Sequence, residues 1–225
     1  MHKSSLLLSI GLIVFSGFLF GQAKIPSAEA LAFHKSRRAA LRAELPPNSV
    51  AVVFANPTRN RANDVDFIYH QDPNFFYLTG WREPQSVILI FSTPQSDENG
   101  VYSEKIYIQE RDARAEQWNG YRLGVEGAQA MGFERVALRD SFVLSPPDFS
   151  TFDQVLIVDF QNDERDLAGD PYDLYQLKKT FKKAINFPSD FNRTKYSIQQ
   201  SISTVTPETF DRLKRYVKWQ TERDT

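Results

Sequence analysis

Residues 59–91 place the strongest constraint on how this chain folds. They begin with an irregular polar segment, continue into three consecutive aromatic residues at 75–77, turn at Thr79-Gly80, and end in an apolar, β-branched run at 86–91. Such a run is typical of a buried strand. Aromatic side chains of this density fill cores more often than they form ligand platforms. We therefore expect Phe75, Phe76, Tyr77 and Trp81 in a core beside a buried strand.

Short β-branched runs alternate with amphipathic segments along the rest of the chain. The pattern predicts strands at 49–55, 86–91, 105–109 and 154–160, with a polar turn at 93–100 forming a hairpin. It predicts helices from Ser27 to about residue 45, near 113–118 and 125–131, at 171–187, and from Thr206 onward. This alternation predicts an α/β fold, a mixed β-sheet flanked by helices, with a helical C-terminal extension.

Two of these helices are predicted to be amphipathic. In the first, an apolar stripe would be formed by Ala30, Phe33, Leu41 and Leu45. The residues expected to face water are Arg37, Arg38 and Arg42 in that helix, and Lys178, Lys179, Lys182 and Lys183 in the helix at 171–187.

The N-terminus has the features of a signal peptide. A basic start is followed by an apolar run at 6–20 and by small residues at Gly21 and Ala23. We predict a signal peptide at 1–23 and an exported protein, periplasmic or extracellular, that does not associate with the membrane after cleavage. The alternative is an uncleaved membrane anchor.

Composition excludes several function classes. The 225 residues carry a formal net charge of -1, so bulk electrostatics give no reason to expect a nucleic-acid partner. The chain has no cysteine, which excludes disulfides, thiolate catalysis and cysteine-ligated zinc. Nor does the sequence contain a Ser/His/Asp triad, a phosphate loop or a dinucleotide fingerprint.

Two motifs resemble the N-terminal domain of the aminopeptidase P family. The first is His70-Gln71-Asp72-x-x-Phe75-x-Tyr77-Leu78-Thr79-Gly80, followed by Glu83-Pro84 and an apolar strand. The second is Glu110-Arg111-Asp112-x-x-x-Glu116-x-Trp118-x-Gly120-x-Arg122-Leu123-Gly124. Members of this family are metallopeptidases that release an N-terminal residue preceding proline, and creatinase-like relatives share the architecture. The resemblance implies a creatinase N-terminal-like domain at 28–160.

The resemblance also implies that the catalysis lies outside this chain. In the family, a separate C-terminal domain binds two metals, usually Mn²⁺, through two Asp, one His and two Glu. No such motif follows residue 160, so no catalytic or metal residue is carried over to this chain. Residues 161–225 would be a helical extension or linker toward that absent domain. The implied partners are peptides with proline in second position and further copies of the chain, because these domains often build the subunit interface of a homo-oligomer.

Two local sites remain as hypotheses. Trp118 would line a substrate channel or an oligomer contact, although it could equally fill the core. A weaker alternative is a metal cluster formed by Asp64, Asp66, His70 and Asp72. These residues are also explained without a metal, if Asp64 and Asp66 lie in a turn and His70 packs under the aromatic cluster. Arg111 and Asp112 are expected to form an ion pair.

A second class of function also fits the sequence: a stand-alone, non-enzymatic binding or assembly domain. The coding DNA beyond Thr225 would distinguish the two hypotheses.

Overall fold

The computed structural model describes residues 25–63, 65–158, 160, 167 and 169–187. The signal peptide predicted at 1–23 and the helix predicted from Thr206 lie outside these residues. The strands are β1 (Ser49–Phe54), β2 (Asn60–Ala62), β3 (Val65–Asp66), β4 (Val87–Asp97), β5 (Gly100–Ile108), β6 (Val136–Leu138) and β7 (Gln154–Ile157). The α-helices are α1 (Ala28–Glu44), α2 (Pro73–Thr79), α3 (Ala113–Asn119), α4 (Gly124–Ala130), α5 (Arg139–Leu144) and α6 (Leu174–Ala184), and a 3-10 turn spans Phe149–Thr151.

A five-stranded mixed sheet organises the described residues, in the order β6-β5-β4-β1-β7. The three central strands pair antiparallel, whereas β7 runs parallel to β1 and β6 runs parallel to β5. Helices cover both faces, so the predicted fold class is confirmed. A separate two-stranded sheet pairs β2 with β3.

The hairpin of β4 and β5 is longer than the sequence indicated. Residues 93–97 continue β4 instead of forming a turn, and pairs such as Gln95 with Tyr102 extend the ladder after a register shift. The turn itself is confined to residues 98–99. The second half of β4 extends beyond the core and is mostly exposed. It therefore lacks the apolar run by which the sequence identifies a buried strand. The predicted turn at 93–100 was therefore wrong in extent, although the hairpin was right.

The two faces of the sheet bury alternate residues of the same strands, as the two-residue repeat of a strand requires. The first face packs under α1, α2 and α4 and contains Ala51, Val53, Ile88, Ile90, Ile106, Ile108, Leu156, Leu41, Phe75, Leu78, Trp81 and Phe133. The second packs under α5 and α6 and contains Val50, Val52, Leu89, Phe91, Tyr107, Ile157, Phe142, Phe149, Phe160, Leu174, Leu177 and Phe181. The core thus includes a helix that lies beyond residue 160.

Helix α1 begins where the sequence predicted, because the Ser27 hydroxyl accepts the Ala30 amide. Its buried stripe is different from the prediction. Arg38 was expected in water but is only 1% exposed, whereas Phe33 was expected in the stripe and is 46% exposed. Arg38 lies on the first face, where its Nε donates to Glu104 Oε2 over 2.6 Å and its Nη1 donates to the Leu78 carbonyl.

A similar correction applies to α6. Lys178 is buried rather than solvated, with its ammonium over the Phe54 ring at 5.7 Å. A long aliphatic stem lets a lysine line the edge of an aromatic core, and hydropathy alone does not register this.

No helix in the described ranges is both long enough and apolar enough to cross a bilayer.

Candidate functional site

Both sequence motifs lie at the same edge of the main sheet. Phe54 at the end of β1 pairs with Val87 at the start of β4, which pairs with Tyr107 near the end of β5. Residues 55–86 and 109–124 therefore leave the sheet at the same edge, which we call the motif edge. Large apolar side chains exposed in these segments are Val65, Phe67, Ile68, Trp118 and Tyr121.

The side-chain amide of Gln71 is the centre of a hydrogen-bond network in the first motif. Its Oε1 accepts hydrogen bonds from the amides of Asn56 and Asp72 and from the Tyr69 hydroxyl. Its Nε2 donates to the carbonyls of Trp81 and Glu83. One side chain thus satisfies backbone groups from three separate turns of the chain. Because buried backbone polar groups must be paired, this amide fixes the path of residues 56–83.

Glu83 connects the first motif to the second. Its Oε1 accepts the Leu123 amide over 2.6 Å, while Oε2 is buried with no partner in the described part of the chain. Burial is the largest cause that raises the pKa of Glu83, and the Leu123 amide and the Arg122 charge oppose it. The carboxylate therefore holds the segment that follows Trp118 against the core at an electrostatic cost.

Trp118 projects from a segment that is braced at both ends. At the start of α3, Asp112 Oδ1 accepts the amides of Arg114 and Ala115. At its end, Gly120 has φ +83, a conformation that favours glycine. The indole itself is 86% exposed. A core position for Trp118 is therefore excluded, and a contact through a channel or an oligomer stays a prediction.

Arg111 anchors this segment in a way that the sequence did not indicate. The expected ion pair with Asp112 is wrong: Arg111 donates from Nε and Nη2 to the two carboxylate oxygens of Glu116, each over 3.0 Å. Asp112 acts as the helix cap, and the amides it accepts lower its pKa. The hydrogen bond from Arg111 lowers the pKa of Glu116. A bidentate pair fixes orientation as well as distance.

The alternative metal cluster receives no support from the placed side chains. Asp66 lies on β3, where its Oδ1 accepts from Asn60 Nδ2, and His70 is exposed. Asp72 Oδ1 caps α2 by accepting the amides of Asn74 and Phe75. Asp64 lies outside the described residues. Among the described residues, no three His, Cys, Asp or Glu side chains are grouped so as to hold a metal ion, so this part of the chain does not fit the metal that the resemblance implies.

Sequence reasoning missed Gln71 and Glu83 as structural centres. Both stand inside the first motif, yet residue type gives no cue, because a glutamine or glutamate in a polar loop is usually solvated. Their position in the chain was the one available signal. Each lies next to a turn, and the backbone groups that such a turn buries need a hydrogen-bond partner.

Comparison with known proteins agrees with this architecture. Residues 34–142 match the family described as Aminopeptidase P, N-terminal domain. A Xaa-Pro aminopeptidase from Haemophilus influenzae is 38% identical over 106 residues, which cover 47% of this chain and 23% of that protein. The aminopeptidase PepP of Pseudomonas aeruginosa superposes with a TM-score of 0.55 at 26% identity, over 72% of this chain and 33% of that one.

Escherichia coli aminopeptidase P is also similar. Its complex with the inhibitor Pro-Leu superposes with a TM-score of 0.52 at 26% identity, over 70% of this chain and 34% of that one. A zinc-substituted form of the same protein, in complex with product, gives a TM-score of 0.51 at 25% identity, over 68% and 32%. This chain thus spans about a third or less of the length of the proteins it matches.

Proposed function

Residues 34–142 are an aminopeptidase P N-terminal domain, and from this premise we propose that the chain is the non-catalytic N-terminal part of an exported Xaa-Pro aminopeptidase. That enzyme would release the N-terminal residue of peptides that carry proline in second position. Its manganese ions would be bound by the catalytic domain and not by this chain. The support is the match of the domain in sequence and in structure.

We assign the motif edge the task of shaping access to the active site and contributing to oligomer contacts. The observation that carries this is Trp118, whose large side chain is 86% exposed. It stands on a segment that is fixed by Asp112, by the Arg111–Glu116 pair and by Glu83. Exposing an indole costs solvation free energy unless a partner covers it, and aromatic side chains are enriched at interface cores. A rigid support reduces the entropy lost when such a contact forms.

The first test concerns activity of the chain itself. The purified chain should not hydrolyse an Xaa-Pro dipeptide even with excess Mn²⁺, because two-metal hydrolysis needs carboxylates and histidines around metals about 3.5–4 Å apart. Asp66→Ala and His70→Ala serve as matched variants. Turnover abolished by them would restore the metal cluster hypothesis, and turnover that survives them would place a catalytic site elsewhere in the chain.

The second test concerns Trp118 in the polypeptide encoded by the complete reading frame. Trp118→Ala should leave the melting temperature unchanged while lowering oligomer mass or Xaa-Pro activity. Val101→Ala is the control, since Val101 is 74% exposed at the far end of β5 from the motif edge. Equal behaviour of the two variants would contradict the assigned task. Sequencing the DNA after the Thr225 codon decides first whether the catalytic set follows.

A further inference from the structure

A cavity of about 460 Å³ lies on the outside of the first face, between α1, α2 and residues 69–71. Its volume is within the range of about 300–1,000 Å³ that small-molecule sites occupy. Aromatic rings form most of its wall: Phe33 from α1, Phe76 and Tyr77 from α2, and Tyr69 from the loop. The Glu83 and Trp118 side chains are not part of its lining, so the cavity is distinct from the Trp118 segment discussed above.

The wall of this cavity is held in place by specific contacts. The His34 ring joins the two helices, because its Nδ1 is hydrogen-bonded to the Tyr77 carbonyl over 2.9 Å. Gly80 lies against the same ring, and a Cβ atom there would be 2.6 Å from His34 Cδ2. Phe33 meets Tyr77 edge to face at 5.6 Å. These contacts fix the positions of three side chains that line the cavity.

The charged side chain in the lining of the cavity is cationic. The Arg82 guanidinium lines the cavity and lies 5.2 Å from the centre of the Phe76 ring, and Arg37 lies 5.3 Å from the centre of the Phe33 ring. No Asp or Glu lines the cavity, and in the described part of the chain no carboxylate is within ion-pair distance of Arg82. Asp72 caps α2 through Oδ1, and its negative charge adds to burial in raising the pKa of the lining residue Tyr69, so one carboxylate does lie near the cavity.

We propose that this cavity binds an aromatic group that carries a carboxylate. The ring of the ligand would lie among Phe33, Phe76 and Tyr77, and its carboxylate would accept hydrogen bonds from the Arg82 guanidinium. Arginine suits this task because its planar fork can bind a carboxylate with two parallel hydrogen bonds. The site is separate from the proposed peptidase chemistry and does not depend on it.

Two sources share this ligand chemistry: a small aromatic acid and the C-terminal residue of a peptide ending in an aromatic side chain. Residues 69–71 line the cavity, and the hairpin of β2 and β3 that precedes them is largely exposed. A peptide would therefore have room to continue outward from the cavity. The probes below separate the two sources.

The proposal is tested by isothermal titration of the purified chain with four probes: 3-phenylpropionate, 3-phenylpropanamide, acetyl-Ala-Phe and acetyl-Ala-Phe-amide. Each acid should bind about tenfold or more tightly than its amide, since the amide lacks the charge that strengthens the hydrogen bond to Arg82. Tighter binding by acetyl-Ala-Phe than by 3-phenylpropionate identifies a peptide terminus as the ligand, and the reverse order identifies a small acid.

Variants locate the site. Arg82→Gln should remove most of the preference for acid over amide, and Phe76→Leu should weaken all four probes. Arg114→Gln is the matched control, because Arg114 is exposed on α3 and does not line the cavity. Circular dichroism melting confirms that each variant is folded.

Three outcomes overturn the proposal. The first is equal affinity for acids and amides, and the second is an unchanged preference in Arg82→Gln. The third is absence of binding by any probe.

Discussion

The two faces of the sheet are buried by different kinds of side chain. The first face is mainly aliphatic and contains a buried ion pair, Arg38 with Glu104, whose side chains are 2% and 4% exposed. The second face is a network of phenylalanine rings centred on Phe181, which meets Phe149 at 5.0 Å and Phe54 at 5.4 Å. The first face therefore depends on complementary charge, and the second on shape.

This difference predicts different responses to substitution. A buried charge without its partner retains its whole desolvation penalty, so polar burial is intolerant of single changes. Ring packing loses contacts in proportion to the atoms removed, so it tolerates replacement by another apolar side chain better. The largest loss of stability is therefore expected on the first face, and the smallest at the motif edge.

The largest effect is expected from Arg38→Met. It leaves Glu104 buried and unpaired, and it should lower the free energy of unfolding by about 3–5 kcal/mol. Chemical denaturation measures this value. The double variant Arg38→Met/Glu104→Leu should return to within about 1 kcal/mol of the native chain, because an apolar pair of similar volume replaces the ion pair. A double variant as unstable as the single one would mean that the pair stabilises the fold by attraction.

A smaller loss is expected on the second face. Phe181→Leu keeps an apolar side chain of similar length and should lower the free energy of unfolding by roughly 1–2 kcal/mol. The same denaturation measurement applies. A loss equal to that of Arg38→Met would remove the contrast between the faces, because it would mean that the ring network is as intolerant as the charge pair.

Glu83 should make the stability of the fold depend on pH. Burial raises its pKa, so between the ordinary pKa of glutamate and the raised value the folded state binds the proton more tightly than the unfolded state. As pH rises through that window, the free energy of unfolding therefore falls, because Glu83 must ionise in a buried position. Above the window this loss of stability is complete. Glu83→Gln should flatten this part of the stability profile, measured by urea unfolding at a series of pH values.

Glu116 is a suitable control because its pKa is shifted in the opposite direction to that of Glu83. Arg111 lowers its pKa, so its stabilising contribution is present above the ordinary pKa of glutamate and is lost as pH falls through the lowered value. Glu116→Gln should change the acid limb of the profile instead. If the two variants altered the same limb, burial would not be the main influence on Glu83.

The smallest effect on stability is expected at Trp118. Because its ring is exposed and packs on neither face, Trp118→Ala should change the free energy of unfolding by less than about 0.5 kcal/mol. A loss of several kcal/mol would mean that the indole belongs to the first face after all, and it would also remove the structural basis for its proposed contact.

The sequence predicted the long strands and the helices α1, α3, α4 and α6, because apolar runs and capping residues are local signals. It did not predict α2 or α5. It failed where a buried position holds a polar residue. In α1 the buried stripe includes His34, Arg38 and Leu41, whose spacing is that of one helical face. Hydropathy assigned Arg38 to water and did not include His34 in the stripe. The spacing alone would have identified them, if residue type had been ignored.

The candidate site was predictable only in part. The two motifs located the motif edge, since their residues leave the sheet beside paired strand ends. The network through Gln71 and Glu83 was not predictable, because it depends on which backbone groups three turns leave unpaired. Strands of two or three residues, such as β3 and β6, carry too few side chains for a periodic signal.

The order of the helices along the chain has a consequence for synthesis. The helices over the first face, α1, α2 and α4, all precede Phe133, whereas α5 and α6 follow it and end the described structure. A nascent chain can cover one side of its sheet while the other remains bare. At about 5–20 residues per second, the ribosome needs roughly 2–10 s to proceed from Phe133 to Phe181. During that interval Val50, Leu89 and Phe91 lack the helices that bury them in the folded chain.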